Sequence, residues 1–156
     1  MTRKTAGAPA GKVVFVGAGP GDPGMLTARA SEALATAGVV LVDLDVSVAV
    51  QDVVRESVPA AELTPVSGDP AEVAKAAVAA AKGGAVVVRL VAGDPFTSEA
   101  VVKELLAVGR TSVPFDVVPG VATGTAVPAF AGIALRHRTT PARHAADEGL
   151  EPAIAP

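Results

Sequence analysis

The residues able to do chemistry gather in four short stretches rich in glycine, proline and acid. The first is Gly17-Ala18-Gly19-Pro20-Gly21-Asp22-Pro23-Gly24, directly after the apolar run Lys12 to Val16. Gly17 and Gly19 fit the first two glycines of a G-x-G-x-x-G dinucleotide loop, but the third position is Asp22. A pyrophosphate needs free N–H groups at a helix start; here Pro20 and Pro23 remove two and a carboxylate intrudes. Glycines let backbone approach a ligand closely. Carbonyls with a nearby carboxylate favour a cation such as a sulfonium, so the loop suits a cofactor that is not a polyphosphate. The bland alternative is a structural tight turn.

The second stretch, residues 43–47, opens with Asp43 at the end of an apolar run. There a dinucleotide fold binds a ribose hydroxyl, while an unpartnered acid is simply a solvated strand end. The third is Val91-Ala92-Gly93-Asp94-Pro95-Phe96-Thr97. Asp94 is placed to accept from hydroxyls or an amine, or else to form an Asp-Pro turn before the next helix. The fourth is residues 119–123. His137 and His144, the only histidines, have no cysteine or paired carboxylate beside them, which makes a weak metal site. With Arg136, Arg138 and Arg143 they form a small basic cluster.

These stretches need a frame that brings them together. Strands are expected at 12–16, 39–42, 63–66 (the weakest), 85–90 and 115–118, and helices at about 25–37, 47–54, 70–82, 98–108 and 123–131. Gly38, Gly83-Gly84 and Gly109 are read as helix stops. Asp69-Pro70-Ala71-Glu72 is a helix start: an acceptor at the cap, a proline that loses no needed donor and an acid at N3. Pro128 is placed near the first turn of the last helix. Strand and helix alternate throughout. That predicts an α/β fold, an open and mostly parallel sheet with helices on both faces. Ligands bind such sheets beyond the carboxyl ends of the strands, where all four stretches fall.

Composition bounds the rest. The chain has 156 residues, half of them apolar, 3% aromatic and 19% charged, with net charge −3. The core must be valine, leucine and alanine. No basic surplus points to nucleic acid. The absence of cysteine excludes disulfides, thiolate metal sites and cysteine nucleophiles. No apolar run reaches the about 18 residues of a membrane helix. Residues 1–11 read as a disordered lead and 139–156 as a loose tail. A cytoplasmic location is the expectation.

Three blocks carry a family resemblance. Val16 to Pro23, with Leu26-Thr27 and Ala37 to Asp43, resembles the opening of the tetrapyrrole (corrin/porphyrin) methylases. Gly93-Asp94-Pro95-Phe96 resembles their second glycine loop. Val113 to Val121, with Ala129 to Ile133 and Leu135 to Arg138, resembles the segment joining their two domains. The resemblance covers residues 12 to about 138. It implies a cofactor-binding α/β domain at 12–120, the start of a linker or second domain at 121–138, and a missing second domain. The implied cofactor is S-adenosyl-L-methionine. The implied reaction is C-methylation of a tetrapyrrole, uroporphyrinogen-III to precorrin-2, by a form that in full is a homodimer. By the same resemblance Pro20 lines the cofactor pocket, and Ala92, Gly93, Asp94 and Thr97 form its second wall. Ala122 and Thr123 then contact the cofactor from the interdomain side, and Asp43 is the proton acceptor.

The chain departs from the family pattern in several places. Asp43-Leu44-Asp45-Val46-Ser47 lacks the arginine usual after the aspartate. A family lysine has no match near Leu63 to Val66. Val91-Ala92-Gly93 replaces Lys-Gly-Gly, and no Gly-Arg follows Thr97. A polycarboxylate substrate calls for cations, so cofactor binding is better supported than turnover. A non-catalytic remnant packing against another domain or protomer is the alternative. A dinucleotide-dependent oxidoreductase comes third.

Overall fold

The computed structural model describes residues 11–135. Five strands, β1 (Lys12–Gly17), β2 (Val39–Asp43), β3 (Glu62–Val66), β4 (Val86–Val91) and β5 (Phe115–Val118), form one sheet in the order β3-β2-β4-β1-β5. Every pairing is parallel. Parallel strands are buried on both faces. The central ones are accordingly rich in valine: Val13, Val14, Val16, Val87 and Val88 are all buried. β3 is the edge and carries Pro65, whose missing N–H is tolerated there.

Four helices cross between the strands, α1 (Ala28–Ala35), α2 (Val48–Ser57), α3 (Pro70–Lys82) and α4 (Glu99–Gly109), and α5 (Thr123–Phe130) follows β5. The steps β1 to β2 and β2 to β3 run one way along the sheet; β3 to β4 and β4 to β5 run back. A single hand of crossover then requires the two helix pairs to lie on opposite faces. They do. Ala30, Leu34, Val50 and Val54 of α1 and α2 pack on Val14, Val16, Val40, Val42, Val88 and Leu90. Ala74, Ala77, Ala81, Val101 and Val108 of α3 and α4 pack on Val13, Phe15, Leu41, Val87 and Val91. The connections of β1 and β4 therefore leave toward opposite faces, which opens a crevice at the carboxyl edge between these neighbours.

Local chemistry sets the boundaries. The first helix was expected from Met25 to Ala37, yet Pro23–Met25 is a separate 3-10 turn. Asp22 Oδ1 accepts from Gly24 N at 2.8 Å and caps that turn. Thr27 is extended, and its hydroxyl accepts from Ala30 N at 3.1 Å, so α1 starts only at Ala28. Nor does Gly38 stop the helix: Thr36 is its C-cap, and Gly38 N donates to Val86 O at 2.9 Å, joining the sheet. Asp69 caps α3 as expected, bonding Ala71 N at 2.9 Å, and Gly84, with φ 95°, makes the turn after it. Gly109 is the last residue of α4, and Arg110 is its C-cap. Pro128 sits a turn deeper in α5 than expected. Gly11, read as part of the lead, is buried where a side chain would strike the carbonyls of Ala81 and Ala85.

At the carboxyl edge three loops touch backbone to backbone. A Cβ on Gly17 would lie 2.5 Å from Gly120 N and 2.6 Å from Gly93 O; one on Gly120 would lie 2.7 Å from Gly17 Cα. These neighbours are main chain and cannot swing aside. Gly120→Ala is therefore expected to cost about 1–3 kcal/mol of stability, as overpacking does. Urea denaturation of the variant beside Ala131→Ser, at an exposed position, checks this.

Candidate functional site: a crevice at the carboxyl edge

Register puts the four loops on one shelf. Val42 faces Leu90, Gly17 faces Val91 and Val16 faces Val118. One residue further, Asp43, Val91, Gly17 and Pro119 form a row across four strands. Strands lie about 4.8 Å apart, so Asp43 and Gly17 are about 10 Å apart along that row.

Hydrogen bonds then tie the loops to one another. Gly19 and Gly93 form an isolated antiparallel bridge: Gly19 N donates to Gly93 O at 3.1 Å, and Gly93 N to Gly19 O at 2.8 Å. Both have positive φ, 75° and 66°, which favours glycine. Pro20 follows immediately and is half-buried. Ser47 joins the first loop to α2: its hydroxyl donates to Gly21 O at 2.6 Å and accepts from Val50 N. Asp94 joins the second loop to the fourth. Its Oδ2 accepts from Gly120 N at 3.0 Å, and its Oδ1 from Phe96 N at 2.9 Å. The turn-forming role of Asp94 is thus present in the geometry, together with a clamp on the neighbouring loop.

Several of the expected site residues are brought together, and others flank them. A Cβ on Gly93 would lie 3.4 Å from Thr123 Oγ1 and 3.8 Å from Ala122 Cα, so Gly93, Asp94, Gly120, Ala122 and Thr123 form one cluster. Ala92 is partly buried and packs against the core that α1 and α2 cover. The Thr97 hydroxyl donates back to Asp94 O at 2.7 Å. Arg136, His137, Arg138, Arg143 and His144 lie outside the described residues. Among the described residues no three His, Cys, Asp or Glu are grouped to hold a metal ion. No helix there is long and apolar enough to cross a membrane.

Asp43 ends β2 as expected, but it is not a free acid. Arg89 Nη2 donates to its Oδ2 at 3.2 Å, and Asp45 N donates to its Oδ1 at 3.3 Å. Behind it Arg89 is gripped by Glu104 of α4: Nε to Oε2 at 2.7 Å and Nη2 to Oε1 at 3.0 Å. Arg89 and Glu104 are the only charged residues buried in the described fold. The sequence reading missed both. Their signal was present: an arginine within a valine strand, and a glutamate on the α4 stripe between Val101 and Val108. A buried charge needs a partner, and each supplies the other's.

The geometry can hold a ligand by backbone but gives a pyrophosphate little. Gly24 N, in the first turn after the glycines, is occupied by Asp22, and the first α-helix begins only at Ala28. Carbonyls, positive-φ glycines and carboxylates line the edge instead. Leu44, Val48 and Phe96 stand exposed around it. That combination fits a compact cationic nucleoside better than a dinucleotide.

Comparison with known proteins identifies the family. The family model of the tetrapyrrole (corrin/porphyrin) methylases matches residues 12–155. The chain is 41% identical over 132 residues to a siroheme synthase of Aeromonas hydrophila, covering 82% of this chain and 28% of that one. It is 38% identical over 135 residues to the uroporphyrinogen-III C-methyltransferase of Methanocaldococcus jannaschii, covering 82% of this chain and 54% of the other. The crystal structure of the uroporphyrin-III C-methyltransferase of Thermus thermophilus superposes with a TM-score of 0.74 at 38% identity, over 83% of this chain and 56% of that one. A uroporphyrin-III C-methyltransferase of Thermus thermophilus complexed with S-adenyl homocysteine gives 0.63 at 36%, over 83% of this chain and 51% of that one. The chain thus spans about a quarter to a half of the proteins it resembles. With the fold, the glycine loops and the family match in agreement, this chain belongs to the tetrapyrrole (corrin/porphyrin) methylases.

Proposed function

We propose that this chain supplies the S-adenosyl-L-methionine site of a C-methyltransferase acting on a tetrapyrrole, converting uroporphyrinogen-III to precorrin-2. The observation that carries the reading is the shelf itself. The Gly19–Gly93 bridge and the close contact of Gly17, Gly93 and Gly120 open backbone to a ligand, with Asp43 at the end of the same row. S-adenosyl-L-methionine supplies an electrophilic methyl group. Pro20 and the Gly93, Ala122 and Thr123 cluster hold the nucleoside, and the exposed apolar rim excludes water. Asp43 accepts the proton that the methylated carbon sheds.

A second reading is favoured by one observation. Val127, Phe130, Ile133 and Leu135 are 53–73% exposed, a run of apolar surface on and after α5. Such patches mark interaction sites. The described unit is then a module that works only against another domain or protomer. The departures from the family's arginine and lysine pattern point the same way.

Three outcomes follow. By calorimetry S-adenosylhomocysteine binds and NAD does not; equal or tighter NAD binding would overturn the reading. Asp94→Ala weakens S-adenosylhomocysteine binding by roughly 1–3 kcal/mol. It also lowers the urea midpoint, because Gly120 N and Phe96 N lose their acceptor; Asp94→Asn, keeping one carbonyl, falls between. Unchanged affinity in Asp94→Ala would reduce the residue to a turn former. The purified chain makes no precorrin-2 from S-adenosyl-L-methionine and uroporphyrinogen-III, and self-associates on size-exclusion chromatography. Multiple turnover by a monomer would show that neither the departures nor the exposed patch matters.

A further inference from the structure

The proposed reaction uses Asp43 but not the two charges buried behind it. The side chains of Arg89 and Glu104 are 4% and 3% exposed, and that of Asp43 is 27% exposed. Every nitrogen of the guanidinium is engaged: Nε and Nη2 to Glu104, Nη2 also to Asp43, and Nη1 to Leu90 O at 3.3 Å. Stability alone does not account for this arrangement. A buried ion pair roughly breaks even against apolar residues of similar volume, and the surrounding face is already Val87, Val91, Val101 and Val108. What an apolar pair could not do is reach Asp43. With Arg89 on one oxygen and Asp45 N on the other, the Asp43 carboxylate has a fixed position and plane.

The formal charges do not cancel. Two carboxylates face one guanidinium, which leaves one negative charge, and Asp43 is the member at the surface. The described loops at this edge add Asp22, Asp45 and Asp94 and no lysine or arginine.

We propose that Arg89 is the positioning residue for Asp43, and that the fixed carboxylate makes the site favour a positively charged methyl donor, a sulfonium, relative to its neutral thioether product. This rests on the methyltransferase reading. A group that takes the proton from the newly methylated carbon must lie close to the methyl, and so close to the sulfonium charge. Across about 8 Å at an effective dielectric between protein and water, one charge changes binding roughly fivefold. The favour matters because each turnover leaves the thioether in the pocket, and loss of the charge helps it go.

The test is calorimetry on the full chain with S-adenosyl-L-methionine and S-adenosylhomocysteine, reading the ratio of their affinities. Asp43→Asn keeps the shape and removes the charge; the ratio falls roughly fivefold. The double variant Arg89→Met with Glu104→Met removes one charge of each sign. The network's sum is unchanged, but Asp43 is no longer held. The ratio falls by roughly twofold or more while affinity for the thioether stays near wild type. Arg89→Lys covers the case in which the double variant does not fold. It keeps the charge but not the planar fork that spans two carboxylates, and its ratio also falls. A wild-type ratio in the folded double variant, or in Arg89→Lys if that alone folds, would leave Arg89 a structural residue. A wild-type ratio in Asp43→Asn would show that the carboxylate does not face the sulfonium. Binding of neither nucleoside by the unsubstituted chain would instead remove the methyltransferase reading, and this inference with it.

Discussion

Three strands of this sheet end on loops whose main chains touch at glycines. Gly17, Gly93 and Gly120 come from different loops, yet a Cβ on Gly17 or on Gly120 would strike the main chain of the other two, and Gly93 holds a positive φ that favours glycine. The rest of the edge follows from that contact. Because the loops meet so closely, Gly19 and Gly93 can pair like strand residues, and Asp94 can reach Gly120 N from the second loop. The loops that would hold a ligand are therefore bonded to one another through main chain, as the strands beneath them are. Rigidity of this kind spares a binding site the entropy of ordering its loops when the ligand arrives.

The two faces of the sheet carry different loads. The face under α1 and α2 is apolar throughout, a packed layer of valine, alanine and leucine. The face under α3 and α4 encloses the Arg89–Glu104 pair. The pair sits where β4 and α4 meet, one residue before Leu90 and close to the strand's carboxyl end. That placement lets a buried arginine touch an acid that solvent also reaches. Nearer the middle of the sheet it would have needed a second buried acid. Nearer the edge it would have been exposed to water, where an ion pair stabilises little.

The fold was legible because each level of the sequence agreed with the next. Apolar runs of strand length alternated with helical patterns, and Asp69-Pro70 and Ser47 cap helices as their side chains predict. The misplaced boundaries came from local chemistry that periodicity does not carry. Leu26 fits a helical stripe, but Thr27 offers the stronger cap one residue later, so the turn before it stays separate. Gly38 resembles a helix stop and is instead a sheet residue, its N–H committed to Val86. The site was half legible. Asp43 could be placed at a strand end from spacing. Its partner could not, because Arg89 precedes Leu90 in a run that reads as apolar, and Glu104 lies 15 residues further on. Only the crossover of α4 brings the two together. Asp94 was left between turn and ligand, and its geometry shows why the choice was hard: the same carboxylate closes its own turn and holds the next loop.

The charges at the carboxyl edge assign the two proposed ligands to different surfaces. Asp22, Asp43, Asp45 and Asp94 lie on its loops, and among the described residues the cation bonded there, Arg89, is already shared between two acids. A cationic nucleoside is at home there. The carboxylates of a uroporphyrinogen are not, since like charges brought together without counter-ions cost free energy in proportion to how far water is excluded. A macrocycle meeting this edge must therefore present a ring carbon to the crevice and turn its acid arms outward, toward cations that the described residues do not place here. The exposed apolar run from Val127 to Leu135 lies next in the chain after the Ala122–Thr123 contact. A partner packed on it would stand beside the same crevice, where the missing positive charge is needed. Incomplete burial and incomplete charge complementarity thus converge on one side of the fold, and a single partner surface would satisfy both.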